Sequence, residues 1–249
     1  MPGTKTYRET ALVLKKTKLK ETDVILTMLA HTGRQIRAVA KGARKPGSRL
    51  AARCDLCCIV DALFAKGRNL DIVSQAELIA APLGAAPSYE LLSAASVIND
   101  IALLASSEDI EDPFLFAITT RVLELLAQVS SSTQFDMLVA AYIFKVVSHM
   151  GYRPDWDSCV SCGDVSVSYI STAAGGSLCA SCAHSVAGAE EVDASLFSWL
   201  TFYINASFTQ LLSTELDAVS ATTLLHIAHM WAETHLDTRI RSLEFSLSL

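Results

Sequence analysis

Pro82-Leu83-Gly84-Ala85-Ala86-Pro87 is where this chain changes its pattern. Upstream of it, short runs rich in Val, Ile and Leu are punctuated by turn formers, which is the pattern of strands. Thr10 to Lys16, Asp23 to Ala30, Arg34 to Gly42, Cys54 to Ala65 and Asn69 to Ile79 each fit one strand. His31-Thr32-Gly33, Lys45-Pro46-Gly47-Ser48 and Lys66-Gly67-Arg68-Asn69 supply turns between them. Five strands in about 75 residues suit a small five-stranded barrel of the OB type. Periodicity does not fix strand order, so an SH3-like barrel stays open as the alternative.

Downstream, Leu91, Leu92, Ala95, Ile98, Ala102 and Leu103 recur at the spacing of one helical face. Asp112-Pro113 sets a capping residue before a proline suited to the first turn, opening a second helix that runs to about Val129. Gln134 to Met150 reads as a third helix, with Gly151 as its stop. Two more are expected near Ala194 to Leu212 and Ala221 to Leu236. The fold class is therefore α+β. An N-terminal OB-fold β-barrel over residues 1–80 is followed by an all-α domain over residues 81–249, with an inserted zinc-finger segment at about 155–187.

The charge changes sign at the same boundary. Residues 1–80 carry eight Lys and seven Arg against seven acids, a balance of +8. Residues 81–249 carry five basic residues against nineteen acids, a balance of −14. The whole-chain charge of −6 and the pI near 5.5 conceal this split. A basic front third is what a phosphate backbone requires, and the acidic remainder points to partners of another kind.

Hydrophobic residues make up 51% of the 249 and charged ones 18%, which supports a packed core and argues against disorder. A mean hydropathy of +0.35 raises the question of membrane insertion. No uninterrupted apolar run approaches the roughly 18 residues of a bilayer span. Leu91 to Ala105 is broken by Asn99 and Asp100, and Met137 to Phe144 ends at Lys145. Met1-Pro-Gly-Thr-Lys5 lacks the apolar core of a signal peptide. The expected location is cytoplasmic, with no membrane partner.

Cys159-x2-Cys162 and Cys179-x2-Cys182 are the strongest chemical signal in the chain. Two tight turns, each aiming two thiolates at one point, give the four soft ligands that tetrahedral Zn2+ prefers. Gly163, just after the first pair, suits a knuckle that needs positive φ. Val165 to Ile170 and the Ala173-Ala174-Gly175-Gly176 turn suggest a short hairpin between the pairs. The blander readings are free thiols or disulfides. Structural zinc stabilises by roughly 10–16 kcal/mol apparent at neutral pH, against about 2–4 for a disulfide, and a reducing compartment favours the metal. Four thiolates leave no open position for water, so the role is structural. His184 could replace one thiolate. Cys54, Cys57 and Cys58 are read as core residues of a strand, with Cys54 and Cys58 on one face beside Leu56 and Val60.

Lys15, Lys16, Lys18 and Lys20 lead out of the first strand, Arg34, Arg37 and Lys41 lie along the third, and Arg44, Lys45, Arg49 and Arg53 follow. Lys41 to Arg49 reads as a flexible loop with four positive charges and no acid. Any single lysine there could be ordinary solvated surface; as a set, these cations suit nucleic acid. Tyr7 and Phe64 are the aromatics of this third, so stacking contributes little and sequence-tolerant contact with the backbone is expected. No phosphate-cradling Gly-x4-Gly-Lys-Ser/Thr loop, Gly-x-Ser-x-Gly or His-Glu-x2-His occurs. His226 and His229 stand three apart on a helix without a carboxylate arranged as a third ligand, which favours packing or exposure over a metal.

Ala11-Leu-Val-Leu14, Glu21-Thr-Asp-Val-Ile25, Gly33-Arg34, Ala40-Lys-Gly-Ala-Arg-Lys45 and Ser48-Arg-Leu50 resemble the N-terminal barrel of the bacterial recombination mediator family RecO. Asp71 to Leu78, ending in Gln75-Ala-Glu-Leu78, is similar to the strand that closes that barrel. Gly151-Tyr-Arg-Pro-Asp155 before Cys159-x2-Cys162-Gly163 is similar to the family's entry into its zinc-binding segment. The resemblance implies a non-enzymatic protein of DNA repair and recombination. It implies binding to single-stranded and double-stranded DNA and annealing of complementary strands. RecR and the acidic C-terminal tail of single-stranded DNA-binding protein would be partners in loading RecA. Carried onto this chain, DNA contacts fall on Lys15, Lys16, Arg34, Arg37, Lys41, Arg44, Lys45, Arg49 and Arg68, and Zn2+ on Cys159, Cys162, Cys179 and Cys182. The acidic helical part offers few cations for an acidic tail, and Arg121 and Lys145 are the weak choices. An OB-fold RNA-binding module with structural zinc is the rival reading.

Overall fold

A computed structural model describes residues 5–247. Met1 to Thr4, which carry most of the stretch read against a signal peptide, lie outside the described residues. The chain forms two compact units, the first ending at Gln128 and the second beginning at Val129.

In the first unit β1 (Thr6–Lys18), β2 (Val24–Ala30), β3 (Gln35–Ala40), β4 (Ile59–Ala65) and β5 (Asp71–Ala80) close a barrel in the order β1-β2-β3-β5-β4. β3 and β5 run parallel, with Ala38 opposite Asp71 and Val39 opposite Ile72; the other pairs are antiparallel. This is the five-stranded Greek-key order of an OB barrel, which sets the SH3-like alternative aside. β1 serves two neighbours, pairing with β4 from Thr6 and with β2 as far as Lys18, and a bulge between Val13 and Lys15 bends it between them. Val13, Leu26, Met28, Ile36, Val60, Phe64 and Val73 fill the interior.

The stretch expected as one strand from Cys54 does not form one. A short helix α1 (Arg49–Arg53) runs up to it, with the Ser48 hydroxyl accepting from the Ala51 N–H, and β4 starts only at Ile59. Between them Cys57 turns the chain with φ at 61°, its N–H donating to the Val13 carbonyl at 2.9 Å. All three thiols are buried as expected, but Leu56 is 46% exposed because the turn, unlike a strand, does not alternate its side chains. Burial pushes the Cys54 and Cys57 thiols up to about 11, leaving them protonated.

α2 (Tyr89–Ala105) is capped by the Ser88 hydroxyl and packs on β1 and β2, which explains why Leu12 and Leu29 are buried on the outer side of the barrel. Its buried Asn99 donates to the Cys57 Sγ at 3.1 Å. α3 (Pro113–Leu126) packs back on α2, so both helices belong to the first compact unit although the strand pattern ends at Ala80.

The second unit is built around α4 (Ser132–Val147), whose residues from Met137 to Phe144 are all buried. A π-type turn over Ser148–Tyr152 ends it, with Gly151 at φ 98°. The cysteine segment follows, with β6 (Tyr169–Ser171), β7 (Gly176–Leu178), α5 (Ala180–Ala183) and β8 (Glu190–Glu191). The single helix expected over 194–212 is two, α6 (Ala194–Asn205) and α7 (Phe208–Leu212). The break is local: Ser207 and Gln210 form a capping box that starts a new helix. α8 (Ala218–Leu236) packs along α4, and α9 (Arg241–Leu247), which no sequence signal marked, follows it. No helix among the described residues is long and apolar enough to cross a membrane.

Candidate nucleic-acid interface and metal centre

Most of the barrel cations expected to contact DNA fall in two groups. Lys15, Thr27 and Arg37 are register partners across β1, β2 and β3 on the outer side of the sheet. Arg37 also lines a cleft of about 270 Å³ with Arg34, Lys66 and Arg68. The parallel β3–β5 pairing brings the β4–β5 turn, which carries Lys66 and Arg68, beside β3. Tyr7 lies in the same cleft, stacked on Phe64 at 5.1 Å between ring centroids, with Lys66 Nζ 4.5 Å from its own. Its hydroxyl donates to Asp71 at 2.6 Å. Burial alone would raise the Asp71 carboxyl, but the bonds from Tyr7 and the Gly67 N–H, with Lys66 nearby, hold it below the ordinary value. Neither Lys66 nor Tyr7 was picked out from sequence as a contact.

The second group sits on the β3–α1 connection with Lys41, Arg44, Lys45 and Arg49, all exposed. This segment is not the flexible loop that its composition suggested. The Gly42 N–H donates to the Asp23 carboxylate at 2.8 Å, the Arg44 N–H to the Thr22 carbonyl at 2.9 Å, and Arg44 Nη1 to the Glu21 carbonyl at 3.0 Å. The Gly42 bond holds the Asp23 carboxyl below the ordinary value. The β1–β2 turn thus pins the segment, and Arg44 is partly engaged in holding it. Lys16 is paired with Asp55 at 2.7 Å, whereas Lys15, Lys41, Lys45 and Arg49 make no ion pair among the described residues.

The four cysteines converge. Sγ atoms of Cys159, Cys162, Cys179 and Cys182 all lie within 4.8 Å of one another, and Cys162 and Cys179 are 3.8 Å apart. A tetrahedron with metal–sulfur bonds near 2.3 Å has edges of about 3.8 Å, so the donors fit a single ion. Backbone bonds build the two knuckles: Gly163 N–H to the Cys159 carbonyl at 2.8 Å, and Ala183 N–H to the Cys179 carbonyl at 3.0 Å. Gly163 has φ 80°, and open space around it leaves conformation as the reason for glycine. A backbone bond from Cys179 leads in drawing the Cys159 thiol down to about 6, while neighbouring thiols, Cys162 first, push Cys182 up to about 12. Four thiolates this close need a cation between them to ionise together. His184 caps α5, exposed and outside the cluster. His229 Nε2 lies 3.0 Å from the Glu233 carboxylate on α8, and His226 is exposed.

Of the two residues considered for a partner tail, Arg121 is exposed and 3.3 Å from Glu124. Lys145 donates from Nζ to the Ile204 and Ala206 carbonyls at 2.8 and 2.6 Å, tying down the carboxyl end of α6. Desolvation pushes this ammonium down to about 8, against 10.5 unperturbed. Between those values the unfolded chain holds more protons, so the burial penalty present at neutral pH is relieved as pH rises through that window. Lys145→Met is expected to strip both carbonyls of their partner and lower stability by about 1–3 kcal/mol. Thermal unfolding of the two proteins side by side checks this, and equal midpoints would contradict it.

The matches to known proteins follow the same two-part order. The family model described as Recombination protein O N terminal matches residues 3–82, and the one described as Recombination protein O C terminal matches residues 86–244. Together they define a DNA repair and recombination protein. A DNA repair protein RecO of Bifidobacterium longum is 34% identical over 241 residues, covering 95% of this chain and 97% of that protein. One of Cutibacterium acnes is 35% identical over 71% of this chain and 74% of its own length. Another, of Caldanaerobacter subterraneus, is 25% identical over 96% of both. The chain belongs to the RecO family.

Proposed function

We propose that this protein is a non-enzymatic recombination mediator, in which residues 1–80 bind single-stranded and double-stranded DNA and the helical part recruits protein partners. The observation that carries this is the placement of cations on the barrel. Lys15 and Arg37 stand in one cross-strand row, Arg34 and Arg68 share a cleft with Arg37, and Lys41, Arg44, Lys45 and Arg49 crowd one pinned segment. Lys16, beside Lys15 on β1, would exchange Asp55 for phosphate. Such a surface holds backbone phosphates of either strand, and a protein that binds two complementary strands without regard to sequence can anneal them.

With RecR it would load RecA onto DNA coated with single-stranded DNA-binding protein, whose acidic C-terminal tail needs a cation on the helical part. Arg121 suits this better than Lys145, whose ammonium is already shared between two carbonyls. The metal is Zn2+, structural and one per chain, which is the ion that four thiolates at this spacing favour. A protein that acts on chromosomal DNA would work in the cytoplasm, at the nucleoid.

The test is annealing of complementary strands coated with single-stranded DNA-binding protein, without ATP. Acceleration over the protein-free rate is expected, with Arg121→Glu losing most of it on coated strands and little on bare ones. No acceleration on either would overturn the mediator reading, and a clear preference for matched RNA strands would favour an RNA-binding module instead.

A further inference from the structure

The cleft on β3 differs from the 41–49 segment in its charge. Arg34, Arg37, Lys66 and Arg68 line it, but so do Glu108 and Asp109 from the α2–α3 connection, and Asp71, which already pairs with Lys66 at 3.5 Å. The connection that carries Glu108 and Asp109 is tied to β3. The Gln35 N–H donates to the Ser107 carbonyl at 2.7 Å, and the Gln35 side-chain amide donates to Ser106 Oγ at 3.0 Å and the Leu103 carbonyl at 3.2 Å. Gly33, at φ 85°, lies so close that a Cβ there would come within 1.8 Å of the Asp112 carbonyl oxygen. Glu108 approaches Arg37 to 3.9 Å.

A groove meant for phosphates alone would be weakened by this arrangement. A phosphate about 5 Å from a carboxylate is repelled by roughly 3 kcal/mol at an effective dielectric constant of 20. An unpaired nucleotide has what the cleft lacks on both counts. Its phosphate is an anion for the guanidinium groups, and its Watson–Crick edge carries N–H donors that carboxylates accept from, such as cytosine N4 and guanine N1 and N2. In a duplex those donors are engaged in pairing, and a second backbone brings further anions towards the carboxylates.

We propose that this cleft is a nucleotide subsite selective for single strands, in which the cations take the phosphate while Glu108 and Asp109 accept from the unpaired base edge. This rests on the reading of the barrel as the DNA-binding part. The volume of about 270 Å³ is of the order of one nucleotide unit. Tyr7, fixed by Asp71 and Phe64, gives the cleft a rigid floor.

The experiment is fluorescence anisotropy on the full chain with three probes of one length: a mixed-sequence single strand, its duplex and an abasic strand. The parent protein should favour the mixed strand over both others. Glu108→Gln with Asp109→Asn keeps oxygen acceptors but removes the repulsion. It should raise affinity for the duplex and abasic probes about tenfold and leave the mixed strand within about threefold. If the mixed strand gains as much as the abasic one, the carboxylates are mere competitors for phosphate and the subsite is refuted; unchanged binding of every probe refutes it too. A parent protein that binds none of the three sinks the DNA-binding reading itself, a failure visible before any variant is made.

Discussion

Replacing Cys159 and Cys179 with serine should abolish metal binding and unfold the segment that the four thiols gather. The effect should be the largest of any double substitution in the second unit, because little else holds this segment. Its own core has four buried residues, Cys159, Leu178, Cys179 and Ala183, two of which are ligands themselves. β6 and β7 are three residues each, and β8 is two. Elements this short do not bury enough apolar area to offset their ordering entropy. A structural zinc contributes roughly 10–16 kcal/mol apparent at neutral pH, which is enough to decide whether such a segment folds. Metal analysis should find one zinc per parent chain and none in the variant, and protease digestion should open the variant between residues 157 and 192. A variant that keeps its metal, or loses it without added cleavage, would contradict the structural role.

The damage should stop at the aromatic cluster that ties this segment to the helices. Trp156 packs edge-on against Trp231 at 5.0 Å and Phe144 at 6.3 Å, and Trp231 Nε1 donates to the Tyr152 carbonyl at 2.9 Å. The segment's residues in these contacts, Tyr152 and Trp156, precede its first cysteine, and the contacts involve no cysteine. DNA affinity of the same variant should stay within about twofold of the parent, because the cations proposed to contact phosphate all lie before residue 70 and backbone affinity follows their number.

How much of this was legible in the sequence depends on how local each signal is. The cysteine pairs could be read because a knuckle is made within five residues and its spacing is the geometry. The barrel's class could be read from alternating runs between turn formers, yet its closure could not, since the parallel meeting of β3 with β5 is a contact between residues 38–39 and 71–72. The cleft escaped for the same reason. It gathers Tyr7, Arg34, Lys66 and Glu108 from four separate places in the chain. Cys54 to Cys58 misled because a run of apolar residues looks alike in a strand and in a buried turn, and only the positive φ of Cys57 separates them. The flexible loop expected over Lys41 to Arg49 is instead pinned from a distance: Asp23, eighteen residues before Lys41, accepts from the Gly42 N–H, and the Thr22 and Glu21 carbonyls hold Arg44.

Reversing Lys41, Arg44 and Lys45 to glutamate should weaken single-strand binding on the order of 100-fold at low salt and flatten its salt dependence. If about six phosphates are neutralised by the parent, log affinity falls with log salt at a slope near −4, about 0.7 for each contact on a single strand. Losing three contacts brings the slope to about −2, so the two proteins converge as salt rises. A uniform loss at every salt concentration would instead mean that the fold was damaged. Arg44 makes that distinction necessary, since its guanidinium holds the Glu21 carbonyl and its removal loosens the segment as well as removing charge. Lys41→Glu with Lys45→Glu leaves that bond in place, and neither lysine is ion-paired among the described residues. This double variant should show about two-thirds of the slope change seen in the triple one while melting at the parent's temperature. An unchanged slope in the double variant, with the triple variant weakened, would assign the segment a structural role and move the phosphate contacts to the Lys15–Arg37 row.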